Sequence, residues 1–248
     1  MSESIVIIPT YNECENIEAI IDAVLQVGMD TDILVVDDGS PDGTADLVRK
    51  KADQYPGRVH LLSRTTKDGL GRAYIAGFRW GLERDYQYFF EMDADFSHNP
   101  NDLPRLLKAC KSGNADVAVG SRYTRGGRVV NWPFDRLLLS YGASLYVRII
   151  TWMPVKDPTA GFVCYRREVL EAIDLDKIKF VGYAFQIEMK YASQMLGFRL
   201  HEVPITFSDR EKGSSKMHKS IITEAVLGVL QMRWYSFFNS YQHPAYKK

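Results

Sequence analysis

The stretch DILVVDDGSPDGT, residues 32–44, carries one complete unit of an α/β sheet. Its apolar run predicts a strand covered on both faces, because no polar residue interrupts it to mark a wet side. Two carboxylates, Asp37 and Asp38, close the strand. GSPDGT then predicts a turn, with Ser40 or Asp42 placed to cap a helix running through Leu47 and Val48.

The same unit repeats to either side. SIVIIP (4–9), VHLLSR (59–64), YQYFFEMD (86–93) and DVAVGSR (116–122) read as further strands. Between them the spacing predicts helices over 12–27, 69–82 and 101–110; the first has Ile17, Ile20, Ile21, Val24 and Leu25 on one face. Such alternation gives an α/β fold, a mostly parallel, Rossmann-like sheet with helices on both faces. Ligands of such sheets bind outside the carboxyl ends of the strands. That rule sets Pro9–Glu13, Asp37–Asp38, Asp93–Asp95 and Gly120–Arg122 along one rim.

The second half is less regular. LLLSYGASLYVRII (137–150) reads as a buried or interfacial helix, GFVCY (161–165) as a strand and 184–196 as a helix. FRLHEVPI (198–205) reads as an edge strand, followed by a charged Gly/Ser loop over 208–220 and an apolar-rich helix over 221–238. The expected organisation is a catalytic unit over 1–220 with an amphipathic or interfacial helix and tail over 221–248.

Composition narrows the class. The 248 residues are 46% hydrophobic, enough for one large core. Net charge is zero but segregated: residues 1–120 carry 12 Lys and Arg against 20 Asp and Glu, leaving 19 against 11 in the rest. An acidic half suits a cation and a basic half suits anionic ligands or an anionic membrane surface. Chance segregation on solvated faces is the plainer alternative. Zero net charge without a known module speaks against nucleic acid. The three widely spaced cysteines, Cys14, Cys110 and Cys164, make no disulfide framework and suit a reducing cytosol. No secretory signal pattern and no run of 18 apolar residues is expected to direct the chain through a membrane.

Asp93 and Asp95 stand out in DADFSHNP (93–100). If a strand carries them, residues i and i+2 face the same way and their charges repel. A divalent cation relieves that repulsion, and Mg²⁺ takes one or two carboxylates together with substrate phosphates. Mn²⁺ suits the same donors. A solvated turn with Ser97 or Asn99 capping the next helix is the plainer reading. Asp37 and Asp38 suit a ribose hydroxyl or a base edge, or else a local turn. Tyr11 offers a ring to a base, beside Asn12, which otherwise only caps the first helix. Arg122, Arg125, Arg128 and Arg136, then Arg210, Lys212, Lys216 and Lys219, offer phosphate contacts. The loop from Arg210 to Lys216 reads as a lid over phosphate or as a solvated segment. His98, His201 and His218 share no metal spacing and read as structural or solvated. GLGRAYIAG (69–77) has only GxG, and no GxxxxGK[ST] occurs, so neither a dinucleotide fingerprint nor a P-loop is present.

IPTYNE (8–13), VVDDGSPDGT (35–44), GLGRAYIAGF (69–78), DADFSHNP (93–100), GSRY (120–123), DPTAGF (157–162) and the R-x-x-G-x-S-K-M run from Arg210 to Met217 together resemble family 2 glycosyltransferases. Within them the chain is similar to the dolichyl- and polyprenyl-phosphate mannosyltransferases that lack transmembrane helices. The resemblance implies a GT-A fold, a nucleotide-sugar donor such as GDP-mannose, a polyprenyl or dolichyl phosphate acceptor, inversion at the anomeric carbon, and Mg²⁺ or Mn²⁺. It implies that Pro9, Tyr11, Glu13, Val36 and Asp38 line the nucleotide pocket. Asp93, Ala94 and Asp95 would hold donor and metal; Arg122, Arg210 and Lys216 would bind phosphates. Many relatives place Gln two residues after the second Asp, where this chain has Ser97. The implied setting is cytoplasmic, peripheral on the cytoplasmic face of a membrane through 137–153 and 221–238 or through a partner, with a homo-oligomer compatible. Transfer of glucose or N-acetylglucosamine by the same family is the near rival. A sugar nucleotidyltransferase is the distant one; it needs a basic glycine-rich loop where PTYNE stands.

Overall fold

The computed structural model describes residues 2–209 and 219–246. In chain order the first half runs β1 (Ser4–Thr10), α1 (Ile17–Gln26), β2 (Thr31–Asp37), α2 (Thr44–Gln54), β3 (Val59–Ser63), α3 (Leu70–Leu82), β4 (Tyr88–Glu91), α4 (Leu103–Lys111) and β5 (Val117–Ser121). The second half runs β6 (Arg128–Val130), α5 (Phe134–Thr151), β7 (Val163–Arg166), α6 (Arg167–Ala172), α7 (Ala184–Met195), β8 (Leu200–Pro204), β9 (Thr206–Ser208) and α8 (Lys219–Phe238).

Seven strands form one sheet in the order β3-β2-β1-β4-β7-β5-β8. All pairings are parallel except those of β7, which runs against β4 and β5. The expected mostly parallel α/β sheet is therefore present. Alternate side chains of β1 and β2 feed two cores. Ile5, Ile7, Leu34 and Val36 pack with α3, α6 and α7, while Val6, Ile8, Ile33 and Val35 pack with α1, α2 and α4. The helix rich in small residues lies close on the sheet. A Cβ added at Gly77 would come 2.6 Å from Cγ2 of Ile7, so glycine sets how near α3 can approach.

Several expectations need correction. The first helix begins at Ile17, and Asn12 sits in a turn with φ 59°, so Asn12 does not cap it. β4 stops at Glu91, so Asp93 and Asp95 lie in the loop beyond it and the alternation of a pleated strand does not place them. Phe96 takes φ 61° in that loop, where a bulky residue is strained, and turns the chain sharply. The short parallel pair β6–β9 has no expected counterpart. Three-residue, half-exposed strands leave no periodic signal.

α8 joins the main body. Val229, Met232 and Tyr241 belong to the core beneath α7. After α8 the chain folds back: the Asp174 N–H donates to the Tyr241 carbonyl at 2.7 Å, and the His243 N–H to the Ala172 carbonyl at 2.8 Å. Among the described residues no helix is long and apolar enough to cross a membrane.

Candidate active site

A cleft of about 220 Å³ opens at the carboxyl ends of β1, β2 and β4. Pro9, Thr10, Tyr11 and Glu13 enter it from β1, Asp38 from β2, and Asp93, Ala94 and Asp95 from the loop after β4. Lys67, Gly69, Leu70 and Ala73 close one side and Tyr183 another. Seven of the expected site residues thus meet in one place. A larger hollow, about 430 Å³, lies away from the rim between Arg79, Asp174 and the tail. Its Arg79–Asp176 pair is solvent-exposed, and none of the expected residues reaches it.

The DDGSPDGT block builds the cleft's first wall, and its two leading carboxylates divide the work. Asp37 is buried and structural. Its Oδ1 accepts from Thr10 Oγ1 at 2.9 Å and Ser40 Oγ at 2.6 Å, and its Oδ2 accepts from the Ser40 N–H at 3.0 Å. Those bonds pin the ends of β1 and β2 together. Asp38 turns into the cleft and pairs with Arg64 at 3.1 Å. Burial raises its carboxyl above the usual range, although Arg64 pulls the other way.

Neither Ser40 nor Asp42 takes the N-cap position of α2, which is Gly43 at φ 87°; Asp42, one residue before it, accepts from the Thr44 N–H at 3.0 Å and Thr44 Oγ1 at 2.6 Å, and it also takes the Cys14 N–H at 3.0 Å. Burial resists its ionisation, but these bonds outweigh it and bring the carboxyl down to about 2. Thr44 Oγ1 accepts from the Glu13 N–H, and Ser40 Oγ from the Asn12 N–H, each at 3.0 Å. The turn therefore holds the Tyr11–Cys14 loop in place.

Asp93 and Asp95 differ in exposure. The Asp93 side chain is 39% exposed, whereas Asp95 is nearly enclosed and accepts the Ser97 N–H at Oδ1, 3.0 Å away. His98 is buried, stacks on Phe162 and accepts the Asp93 N–H at Nδ1. Burial drives its imidazole down to about 4 against the pull of Asp95, so it is neutral near pH 7. The reading of His98 as a structural histidine agrees with this enclosure. Asn99, not Ser97, caps the short 3₁₀ turn at Pro100–Asp102 through the Asn101 N–H.

Among the described residues no three Asp, Glu, His or Cys side chains gather around one point. A cage made wholly by protein is therefore not what the cleft offers. The donor set is two hard carboxylates, Asp93 and Asp95, beside an open cleft. That set fits Mg²⁺ or Mn²⁺ completing its shell with phosphate oxygens and water.

The remaining expected residues lie elsewhere. Val36 does not line the cleft; it is fully buried against α3. Arg122 follows β5 directly and lies outside the cleft lining. Its Nε and Nη2 clasp the two Asp157 oxygens at 2.7 Å each, and Nη2 also reaches Thr159 Oγ1 at 2.7 Å. Arg210 and Lys216 lie outside the described residues.

Two cations were missed from sequence. Lys67 rests its ammonium 3.9 Å from the centre of the Tyr11 ring. Lys190 is wholly buried in α7 and donates to the Ala160 carbonyl at 2.6 Å and the Gln186 carbonyl at 2.8 Å. Burial lowers it to about 8, opposed by the charge of Glu91 at the end of β4. A lysine in a helix as apolar and small as AFQIEMKYASQM was the available signal.

The profile of Glycosyl transferase family 2 matches residues 5–174. Undecaprenyl-phosphate mannosyltransferase of Micrococcus luteus is 51% identical over 232 residues, spanning 92% of this chain and 94% of its own. Polyprenol monophosphomannose synthase of Mycolicibacterium smegmatis is 52% identical over 228 residues, spanning 92% and 86%. Among solved structures, glucosyl-3-phosphoglycerate synthase of Mycobacterium tuberculosis, in complex with Mn²⁺, UDP and phosphoglyceric acid, superposes with a TM-score of 0.68. The alignment has 17% identity and covers 94% of this chain and 78% of that one, a likeness of fold alone.

Proposed function

The chain belongs to glycosyl transferase family 2 and has its GT-A fold, and from that premise we propose that it transfers mannose from GDP-mannose to a polyprenyl phosphate. The product is a lipid-linked phosphomannose, formed with inversion at the anomeric carbon. One observation carries the reading: the Pro9–Glu13 loop, Asp38 and the Asp93–Asp95 loop share a single cleft at the strand ends. The relatives' names supply the sugar and the acceptor class.

The nucleoside lies against Pro9, Tyr11 and Asp38, whose carboxylate accepts from a base edge or ribose hydroxyl. Asp93 and Asp95 are the residues that would hold Mg²⁺ or Mn²⁺ at the diphosphate end. A cation bound there would supply positive charge to the diphosphate leaving group. The acceptor phosphate is already an anion near pH 7, so no side chain has to remove a proton from it. This chain's work is to align the acceptor with the anomeric carbon and to stabilise the leaving group. Arg210 and Lys216 supply further positive charge to the diphosphate. Arg122 meets a phosphate only through the N–H groups not spent on Asp157 and Thr159.

The lipid is met at an exposed apolar face shared by α5 and α8. Phe134, Leu138 and Ile149 of the first, Trp152 just after it, and Trp234, Phe237 and Phe238 of the second stand at least 60% exposed. Exposed apolar side chains gathered on two packed helices suit an interaction surface. The enzyme sits peripherally on a membrane through this face.

A donor screen tests the assignment. Purified protein is given radiolabelled GDP-mannose, UDP-glucose or UDP-N-acetylglucosamine with a polyprenyl phosphate and Mg²⁺ or Mn²⁺. Label from GDP-mannose is expected in the organic phase. Preferred transfer from either UDP-sugar would overturn the donor assignment.

A further inference from the structure

His98 has no part in the reaction as derived above, yet it touches the metal-binding loop directly. Its Nδ1 accepts the Asp93 N–H at 3.2 Å and lies 4.0 Å from Asp93 Oδ2. An acceptor at Nδ1 leaves the ring proton on Nε2. The ring stacks on Phe162 with centroids 4.9 Å apart and planes 9° from parallel, and Phe207 meets it edge-on.

Phe162 is itself fixed from both sides. Its carbonyl accepts the Gly120 N–H at 2.8 Å, and two residues earlier the Ala160 carbonyl is gripped by buried Lys190 at 2.6 Å. The His98 ring therefore rests on a wall with little freedom, and it passes that order to the Asp93 peptide.

We propose that His98 is a positioning residue for Asp93: through Nδ1 it fixes the Asp93 peptide, and so the direction in which that carboxylate meets the cation. The proposal rests on the function above only in taking Asp93 as a cation ligand. It does not depend on which sugar is transferred.

Outer groups that orient a metal ligand typically govern its affinity about 10–100-fold. His98→Phe keeps the stacking ring and removes the acceptor; His98→Asn keeps an acceptor near the same place and removes the ring. Mn²⁺ affinity in the presence of GDP is measured by titration calorimetry, alongside turnover and thermal stability. His98→Phe should lose about 10-fold or more in Mn²⁺ affinity, and His98→Asn should recover most of it. If both variants bind Mn²⁺ as the parent does, or if His98→Asn is as impaired as His98→Phe, the proposal is overturned. Should His98→Phe fail to fold, Phe162→Leu decides, because it removes the ring that holds His98 in place: weakened Mn²⁺ affinity in a protein that melts as the parent does supports the proposal, and parental affinity contradicts it. A parent protein that binds Mn²⁺ with GDP but moves no mannose would count against the assigned reaction and leave this test intact.

Discussion

Asp157 and Arg122 form a two-pronged ion pair, 2.7 Å at each prong, with the carboxylate fully buried and the guanidinium nearly so. The pair fastens the end of β5 to the segment that leads into β7. Burial opposes the Asp157 charge, but Arg122 outweighs it and holds the carboxyl below the usual range. Removing one partner leaves an uncompensated charge in the interior, which costs about 3–5 kcal/mol. Arg122→Met should therefore unfold at markedly lower urea. Arg122→Met with Asp157→Leu should recover much of the loss, because no charge is then stranded. Denaturation curves of the three proteins check this.

The same pair sets an acid limit. A carboxyl depressed by folding contributes stability above its unfolded value, near 3.9, and that contribution disappears as pH falls through the folded value. The parent should lose thermal stability as pH drops below about 4, and the double variant should lose less over the same window. Melting temperatures between neutral pH and that range measure the difference.

Asp95→Asn separates chemistry from folding. The Asn oxygen still accepts the Ser97 N–H, so the loop keeps its bond. The charge proposed to hold a cation is gone. Divalent-dependent turnover should fall about 100-fold or more, the scale seen when a group that stabilises leaving-group charge is removed. The melting temperature should stay within a degree or two, about 0.5 kcal/mol. Rates with and without EDTA, set beside a melt, check both halves.

Gly77→Ala should destabilise the protein by about 1–3 kcal/mol, the usual cost of an extra methyl in a filled interior. Its Cβ would press on Ile7 Cγ2, and relief requires α3 to move off the sheet. Because α3 also carries Leu70 and Ala73 into the cleft, donor KM should rise with the loss of stability. Chemical denaturation and steady-state kinetics report the two effects.

Trp234→Ser with Phe237→Ser tests the apolar face. Both residues stand more than 60% exposed, so folding should change little. Flotation with anionic vesicles should drop several-fold, by loss of buried apolar area at the interface. Unchanged flotation would assign this face to another contact.

Strand–helix alternation made the sheet and its rim legible, because buried parallel strands leave long apolar runs such as Ile33–Val36. Loops were harder. Nothing in DADFSHNP says that the strand ends at Glu91, since Met92 continues the apolar pattern. The division of labour between Asp37 and Asp38 depends on Thr10 and Ser40, which no local pattern brings together. Arg122 looked like a free phosphate ligand because its partner, Asp157, lies 35 residues away. Lys67 and Lys190 act through tertiary contacts with Tyr11 and Ala160; nothing local marks the first, and only the apolar surroundings of Lys190 in α7 signal the second.

Asp93 and Asp95 are proposed to hold a divalent cation against the donor diphosphate. Anomalous scattering from a crystal grown with Mn²⁺ and GDP tests it most directly. One manganese peak is expected within coordination distance of an Asp95 oxygen and the terminal phosphate, with the nucleoside against Pro9, Tyr11 and Asp38. GDP bound in another hollow, with no manganese at the two carboxylates, would contradict it.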